Sequence, residues 1–507
     1  MDSGRHEAER IAWDVIVVGT GPGGASAGYA LASPNRRILF LEQGPDLRTA
    51  DAVRGEFVEN VPGFHSLSDA DRRRRLAWGG RMPEMIEDAR RGDRFLPHIG
   101  YGTGGSSVLW GMTVERLFPS DFARGWPVSY DEMRPWYEAA ERLFRVRGAP
   151  DPVRGEPTPH LMEPPPLSPA NAAVFETLRS EGLHPYRLHL ACERRPGCTL
   201  CHGHLCGVSP ACKNDALRNC LEPALAQEGN QLLCRTMVTH LEAQCRSVTC
   251  VHARQEDGTR LRLHGRFMIL AAGALATPRI LLHSGVGNSS GLVGRCLMRH
   301  VIDLYVLRKA PRPEEPSAAK ELGLNDFYYK DGRKLGSVQS FGLPPPVGYL
   351  RNQPGFNVWR WMGPLAGPIA RRFAGTPIIA SILEDEPRPE NFVDTAGGGW
   401  RMHYRIGSSE RERRRILRRL VRQAFHKFGP VRGSGTDDRK GLGHVCGTCR
   451  FGNDPRASVL DPFNRVHDLD NLYVTDASFF PTSGAVSPGL TIIANALRVA
   501  AHIGQRC

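Results

Sequence analysis

Lysine is scarce in this chain. It occurs seven times in 507 residues, so the net charge of +13 is carried almost wholly by arginine. A basic excess invites a nucleic-acid reading, but no recognition motif accompanies it. The densest run, Arg411–Arg422, falls on a predicted amphipathic helix. Ser409 and Glu412 have capping-box spacing, Ile416, Leu417, Leu420, Val421, Ala424 and Phe425 form one stripe, and Gly429-Pro430 ends it. The arginines then face water, and no nucleic-acid partner is expected. Long apolar runs are missing too: Phe267–Ala276 and Leu490–Val499 are too short and too mixed to span a membrane. The opening stretch MDSGRHEAERIAWDVIVVG has no apolar leader core and no twin arginine. It points to a cytoplasmic protein with no export signal of its own, export with a partner subunit staying open.

What is present suits a globular enzyme. Hydrophobic residues make up 41% and charged residues 23%, which argues against extensive disorder. The length exceeds one simple core, so two interleaved or sequential domains are expected. Val15–Val18 reads as a short buried strand, Pro22–Ala32 as a helix and Arg37–Leu41 as a second strand. That order opens a parallel, doubly wound α/β sheet. Residues 46–95 are polar and arginine-rich and read as a lid or excursion, and the prolines between 148 and 170 read as an extended connection. Arg266–Ala272 returns to a buried strand, and 297–435 has strand and helix signals of its own.

Gly19-Thr20-Gly21-Pro22-Gly23-Gly24 has G-x-G-x-x-G spacing between a strand and a helix. Gly19 allows the tight turn, Gly21 lets backbone approach a pyrophosphate, and Gly24 lets helix pack on strand. The helix N-terminus presents unpaired N–H groups to phosphates. Glu42 ends the next strand eighteen residues after Gly24, where a carboxylate accepts hydrogen bonds from a ribose. The motif does not separate NAD from FAD.

Further segments follow in order. Gly102-Thr103-Gly104-Gly105-Ser106-Ser107-Val108-Leu109-Trp110-Gly111 is a second glycine-rich run, and Ala271-Ala272-Gly273-Ala274-Leu275-Ala276-Thr277-Pro278 begins a third. The C-terminal part carries His444-Val445-Cys446-Gly447-Thr448-Cys449-Arg450-Phe451-Gly452, then Asn471–Ser478, then Ser487-Pro488-Gly489-Leu490-Thr491. In this order the segments resemble the glucose–methanol–choline (GMC) oxidoreductase family, with weak likeness over 46–95 and 297–435.

The resemblance implies a Rossmann-like FAD domain assembled from 1–45, 96–147, 221–296 and 436–507. A lid or excursion over 46–95, a linker and substrate-domain segment over 148–190, a cysteine-rich segment over 191–220 and an α+β substrate domain over 297–435 complete it. It implies that Gly19, Gly21, Gly24 and Glu42 hold the ADP half of FAD. Gly105, Ser106 and Ser107 would approach the flavin, Asp476 and Ala477 the ribityl-diphosphate, and the helix beginning at Pro488 would aim its N-terminus at the flavin. Some members attach flavin to a histidine in the second glycine run. Leu109 and Trp110 stand there in this chain, so FAD is expected to be non-covalent.

Taking a hydride from an alcohol carbon requires a base for the hydroxyl proton. Histidine suits this task near neutral pH. His444 stands inside the C-terminal motif, where the resemblance implies the base. The family's second histidine or asparagine before a proline is replaced by Ser487 before Pro488. A serine can donate a hydrogen bond to the substrate oxygen but cannot serve as base, and Ser-Pro is also ordinary helix-start chemistry.

Nine of the thirteen cysteines lie between Cys192 and Cys250, the densest group being Cys192, Cys198, Cys201, Cys206 and Cys212. In a chain of cytosolic character, thiols or metal ligands come before a disulfide framework. Ligation by Cys198, Cys201, Cys206 and Cys212 of an iron–sulfur cluster or zinc is one reading. The spacing matches no ferredoxin pattern, and reduced structural thiols or local disulfides are the other reading.

These observations lead to an FAD-dependent alcohol dehydrogenase or oxidase, its substrate a small sugar-like polyol. The resemblance extends to flavoenzymes that oxidise the 6′-hydroxymethyl group of aminoglycosides. Glu384-Asp385-Glu386 reads as a solvated loop or as a partner for a cationic substrate. The rivals are a cyanohydrin-type lyase on the same scaffold and a flavin/iron–sulfur electron-transfer subunit with a partner chain. The electron acceptor, oxygen or another, is not legible.

Overall fold

The structure, a computed structural model, describes residues 8–58, 64–195, 198, 203–209, 211–311, 320–342, 376–395, 399–432 and 443–507. Its first layer grows from the Ala12–Val18 strand, whose last four residues are all buried. Burial on both faces is what a near-continuous apolar strand inside a parallel sheet requires. Its neighbours are Ile38–Leu41 on one side and Arg260–Leu270 on the other, both parallel to it. Gln231–Leu233 adds outside Ile38–Leu41, and Leu472–Val474 adds to Arg260–Leu270, again parallel. Strands from three distant parts of the chain, 12–41, 231–270 and 472–474, therefore form one sheet.

Arg260–Leu270 starts six residues earlier than its apolar run suggests. Its first half alternates buried Leu261 and Leu263 with exposed Arg260, Arg262 and His264, the period of a half-solvated antiparallel strand. That half pairs with Ser247–Gln255, which pairs with Thr236–Gln244 as an antiparallel ribbon. The Pro22–Leu31 helix covers the parallel part and packs against the C-terminal helix, Gly489–Gly504. The Tyr130–Leu143 helix joins them, with a Tyr137–Thr491 hydroxyl contact of 2.8 Å.

A second, wholly antiparallel sheet runs Pro430–Arg432, Val301–Leu307, Ile378–Leu383, Gly336–Gly342, Leu322–Leu324, Tyr186–Arg187. The Ser408–Ala424 helix lies on it through Leu417 and Val421. Its N-cap is Gly407, with no side-chain cap, so Ser409 sits inside the first turn and the expected capping box does not form. The 46–95 stretch is more structured than its composition suggested. It holds the Asp69–Trp78 helix and the strands Ile86–Asp88 and Asp93–Phe95, which share a small sheet with Phe392–Asp394 and Arg401–His403. No helix among the described residues is long and apolar enough to cross a membrane.

Candidate active site

The glycine loops meet above the ends of the parallel strands. Gly19 has φ +95°, and a Cβ there would lie 2.4 Å from the Ala271 carbonyl, so the first and third glycine segments touch through bare backbone. Gly105, φ +54°, approaches the first loop, and a Cβ on it would lie 2.8 Å from Gly21 Cα. Gly21 caps the Pro22–Leu31 helix without a side-chain hydrogen bond, so no cap side chain occupies the N–H groups of its first turn. This is a cradle that any Cβ would narrow, set at a helix N-terminus suited to phosphate.

Glu42 ends the second strand as expected, but its carboxylate is already engaged. One oxygen accepts from Thr20 N and Thr20 Oγ1 at 3.2 and 2.6 Å. The other accepts from Gly44 N and Gly102 N at 2.9 and 3.2 Å. It fastens the first two glycine loops together, with two donors on each oxygen.

Asp476 is likewise turned into the protein. It accepts from Gly273 N at 2.8 Å, from Ser478 N at 2.8 Å, and from the hydroxyls of Thr277 and Ser478. At this position only backbone, continuing into Ala477, remains for a diphosphate. Ser107 also points inward, donating to Gly104 O at 2.6 Å and accepting from Ala216 N at 2.9 Å. Ser106 is exposed and accepts from Gly100 N at 3.1 Å. These residues fit FAD as a scaffold of backbone groups with fixed side chains behind it.

His444 adopts φ +57°, unusual for a residue with a Cβ. A short ladder puts it there. Met298 and Cys446 exchange backbone hydrogen bonds of 2.9 and 3.0 Å, and His300 N donates to Gly443 O at 3.3 Å. The two imidazoles meet edge to face, Nδ1 to Nδ1 at 2.8 Å, and His300 Nε2 lies 3.0 Å from the Ser483 carbonyl. A carbonyl can only accept, so His300 carries its proton on Nε2 and its Nδ1 is an acceptor. His444 must then donate from Nδ1, which leaves its Nε2 with a lone pair and no hydrogen-bond partner among the described residues.

Both rings are held neutral. Burial drives the His300 pKa down to about 4, against the pull of the Ser483 and Gly484 carbonyls and Glu384. Burial, with His300 and Lys320 nearby, holds His444 well below the ordinary histidine value. Lys320 is itself lowered to about 8 by burial, with Glu115 opposing. Sequence reasoning missed His300 and Lys320. No motif marked either one, the only hint being that His300 directly precedes an alternating strand.

The segment from Ser483 leads in four residues to Ser487, which is buried. Its hydroxyl makes no hydrogen bond to described residues, and the Gly489–Gly504 helix has no side-chain cap. The expected Ser N-cap bond is therefore absent. Pro488 has helical angles and precedes the first turn, on which Trp110 packs: a Cβ on Gly489 would lie 2.9 Å from its ring.

The acidic run is neither a solvated loop nor a patch free to meet a cation. Glu384 and Asp385 are fully buried. Glu384 pairs with Lys334 at 2.8 Å and Arg124 at 2.5 Å. Asp385 accepts from Tyr404 Oη at 2.8 Å, Arg299 N at 3.2 Å and Arg388 at 3.1 Å. Their charges are spent on partners within the protein.

Cys198, Cys206 and Cys212 come together around Cys192 in a small apolar cluster, while Cys201 lies outside the described residues. The backbone N–H of Cys212 donates to Cys206 Sγ at 3.4 Å, and burial pushes the Cys212 thiol, which also contacts Cys198, up to about 12. No disulfide joins two of the described cysteines. Among the described residues, the ligand atoms of three metal-binding side chains converge elsewhere, at Glu242, Cys250 and His252 on the antiparallel ribbon. There Arg262, 3.4 Å from Glu242, already supplies positive charge.

A parallel sheet with a backbone phosphate cradle, set beside the His300–His444 pair, suits an oxidoreductase that binds a dinucleotide. The GMC oxidoreductase pattern matches residues 14–302 and 392–496, and the chain belongs to that family. It is 25% identical to 2-methyl-1,2-propanediol dehydrogenase of Mycolicibacterium austroafricanum, covering 97% of this chain and 95% of that one. It is 29% identical to paromamine 6′-oxidase of Streptomyces fradiae, covering 96% and 90%. The fold superposes on pyridoxine 4-oxidase from Mesorbium loti with a TM-score of 0.66 at 21% identity, over 97% of this chain and 99% of that one.

Proposed function

We propose that this enzyme oxidises a hydroxymethyl group of a sugar-like polyol, the 6′-hydroxymethyl of an aminoglycoside in its most specific form. His444 Nε2 takes the hydroxyl proton. The observation that carries this reading is the Ser483–His300–His444 chain, which leaves the basic Nε2 of His444 without a hydrogen-bond partner among the described residues. Bound FAD supplies the hydride acceptor. Gly19, Gly21, Gly24 and Glu42 hold its ADP half, Gly105 and the backbone at Asp476 and Ala477 approach the rest, and Leu109 and Trp110 leave it uncoupled to protein. Ser487 offers its hydroxyl to orient the alcohol, and the first turn after Pro488 favours negative charge beside it. The kinship with enzymes named for a diol and an aminoglycoside supports a polyhydroxylated small molecule. Oxygen or another acceptor takes the electrons, in the cytoplasm.

The test is anaerobic bleaching of the flavin by a panel of diols, sugars and aminoglycosides, after acid precipitation has shown that FAD leaves the polypeptide. His444→Asn should retain FAD and slow bleaching by roughly two to four orders of magnitude. Ser487→Ala should cost roughly tenfold, about one hydrogen bond. The reverse order would move the base elsewhere. Turnover of a cyanohydrin without bleaching would favour the lyase instead.

A second reading rests on the contact among Cys198, Cys206 and Cys212: with Cys201 they would ligate an iron–sulfur centre that passes electrons to a partner subunit. Anaerobically purified protein should then carry iron and acid-labile sulfide. Metal-free protein from iron-replete cells would leave these thiols as core packing.

A further inference from the structure

Arg411, Arg415, Arg419 and Arg422 of the arginine run are exposed on the water-facing side of the Ser408–Ala424 helix. Three of them have no evident structural task. Arg415, Arg419 and Arg422 recur at i, i+4 and i+7 on the Ser408–Ala424 helix, so they form one stripe of like charge. None has an ion pair or hydrogen bond among the described residues. Such spacing is mildly destabilising in itself. The helix dipole favours a cation in the last turn, which accounts for Arg422 but not for Arg415 or Arg419.

These side chains do not stand on a convex ridge. With Arg418, His426 and Arg432 they line a cleft of about 520 Å³ between the C-terminal half of the helix and the Pro430–Arg432 strand. Its floor is fixed from below. Asp303 is almost fully buried and takes Arg418 in a bidentate pair of 2.7 and 2.8 Å, Arg414 in another of 3.0 and 2.9 Å, and Arg432 at 3.9 Å. The carboxylate is spent on that task. Glu181, 3.9 Å from His426, is occupied by Lys427 at 2.9 Å. Among the described residues no carboxylate lines the cleft.

We infer that this cleft is a binding site for an oligophosphate anion, held by the forks of Arg415, Arg419 and Arg422 above the Asp303-anchored Arg418 and Arg432. Guanidinium groups match phosphate oxygens two at a time, and the three forks of Arg415, Arg419 and Arg422, with Arg418 and Arg432 behind them, exceed what one monoanion can satisfy. Two or three linked phosphates supply enough acceptors. The volume lies in the range of small-molecule sites. A duplex, whose charge is spread along a rod, would instead need an extended basic surface.

The probe is inorganic triphosphate, titrated calorimetrically into the FAD-loaded enzyme at about 150 mM salt, where weak surface attraction is screened. One site per chain with a micromolar constant is expected. Arg415→Gln with Arg419→Gln should weaken it at least tenfold. Arg73→Gln with Arg74→Gln, an exposed pair on the Asp69–Trp78 helix, should leave it unchanged. All variants should bleach their flavin at the parent rate, showing that the fold is intact. Equal loss in the control pair, equal affinity for sulfate, or binding of an oligonucleotide or anionic vesicle in place of triphosphate would overturn the assignment.

Discussion

His300 Nδ1 lies 2.8 Å from His444 Nδ1, and the far nitrogen of His300 is fixed at 3.0 Å by the Ser483 carbonyl. The carbonyl thus dictates the tautomer of a ring it does not touch. In our assignment His300 is a positioning residue, and His444 is the group that meets the substrate.

Replacement of His300 separates positioning from bulk. His300→Gln can accept from His444 Nδ1 and donate to Ser483, and should keep flavin reduction within a few fold of the parent. His300→Leu leaves the Nδ1–H buried without an acceptor and should slow reduction roughly 10- to 100-fold, the usual cost of such a group. Substrate affinity should change little, because His300 does not reach the alcohol. Equal rates in the Gln and Leu variants would show that the tautomer is not set this way.

The same burial predicts a pH dependence of stability. The folded pKa of His300, about 4, lies below the unfolded value of roughly 6.5, so the unfolded chain binds the proton first. The stabilisation is complete above pH ~6.5 and is lost as pH falls toward 4, up to about 3 kcal/mol for this one ring. Ser483 and Gly484 carbonyls, Glu384, Lys334 and His444 face it, and none supplies enough negative charge to reverse the sign. Urea midpoints between pH 7 and 4.5 should fall less steeply in His300→Gln than in the parent. Parallel slopes would mean that His300 titrates normally.

The nucleotide half of the site was legible because its chemistry is local. Glycine spacing, a strand before it and Glu42 after it all lie within one β-turn-α-β unit, and backbone geometry follows from them directly. His444 was legible through its motif, but its partner was not. His300 reaches it only through the Met298–Cys446 ladder, a pairing that no local pattern encodes. Misreading of Glu384-Asp385-Glu386 has the same cause: three consecutive charges look solvated until Lys334, Arg124 and Arg388 are brought beside them. Conversely, the early start of the Arg260–Leu270 strand was visible in its alternation and was obscured by the stronger apolar run behind it.

The contact between the two glycine loops gives the sharpest test of the cradle. Gly105 has φ +54°, and an added Cβ would stand 2.8 Å from Gly21 Cα, so Gly105→Ala both strains its own backbone and pushes the loops apart. The strain alone costs roughly 1–2 kcal/mol. A control removes that part of the effect. Gly92 has φ +68° but nothing within 4 Å of its added Cβ, so Gly92→Ala carries similar strain without the collision. Both variants should melt a few degrees below the parent. Only Gly105→Ala should purify with a reduced flavin-to-protein ratio and lose the rest on dialysis, because only there is the space between the loops altered. Full, tightly held FAD in Gly105→Ala would mean that the diphosphate does not pass between Gly21 and Gly105, and the loops would then be packing elements alone.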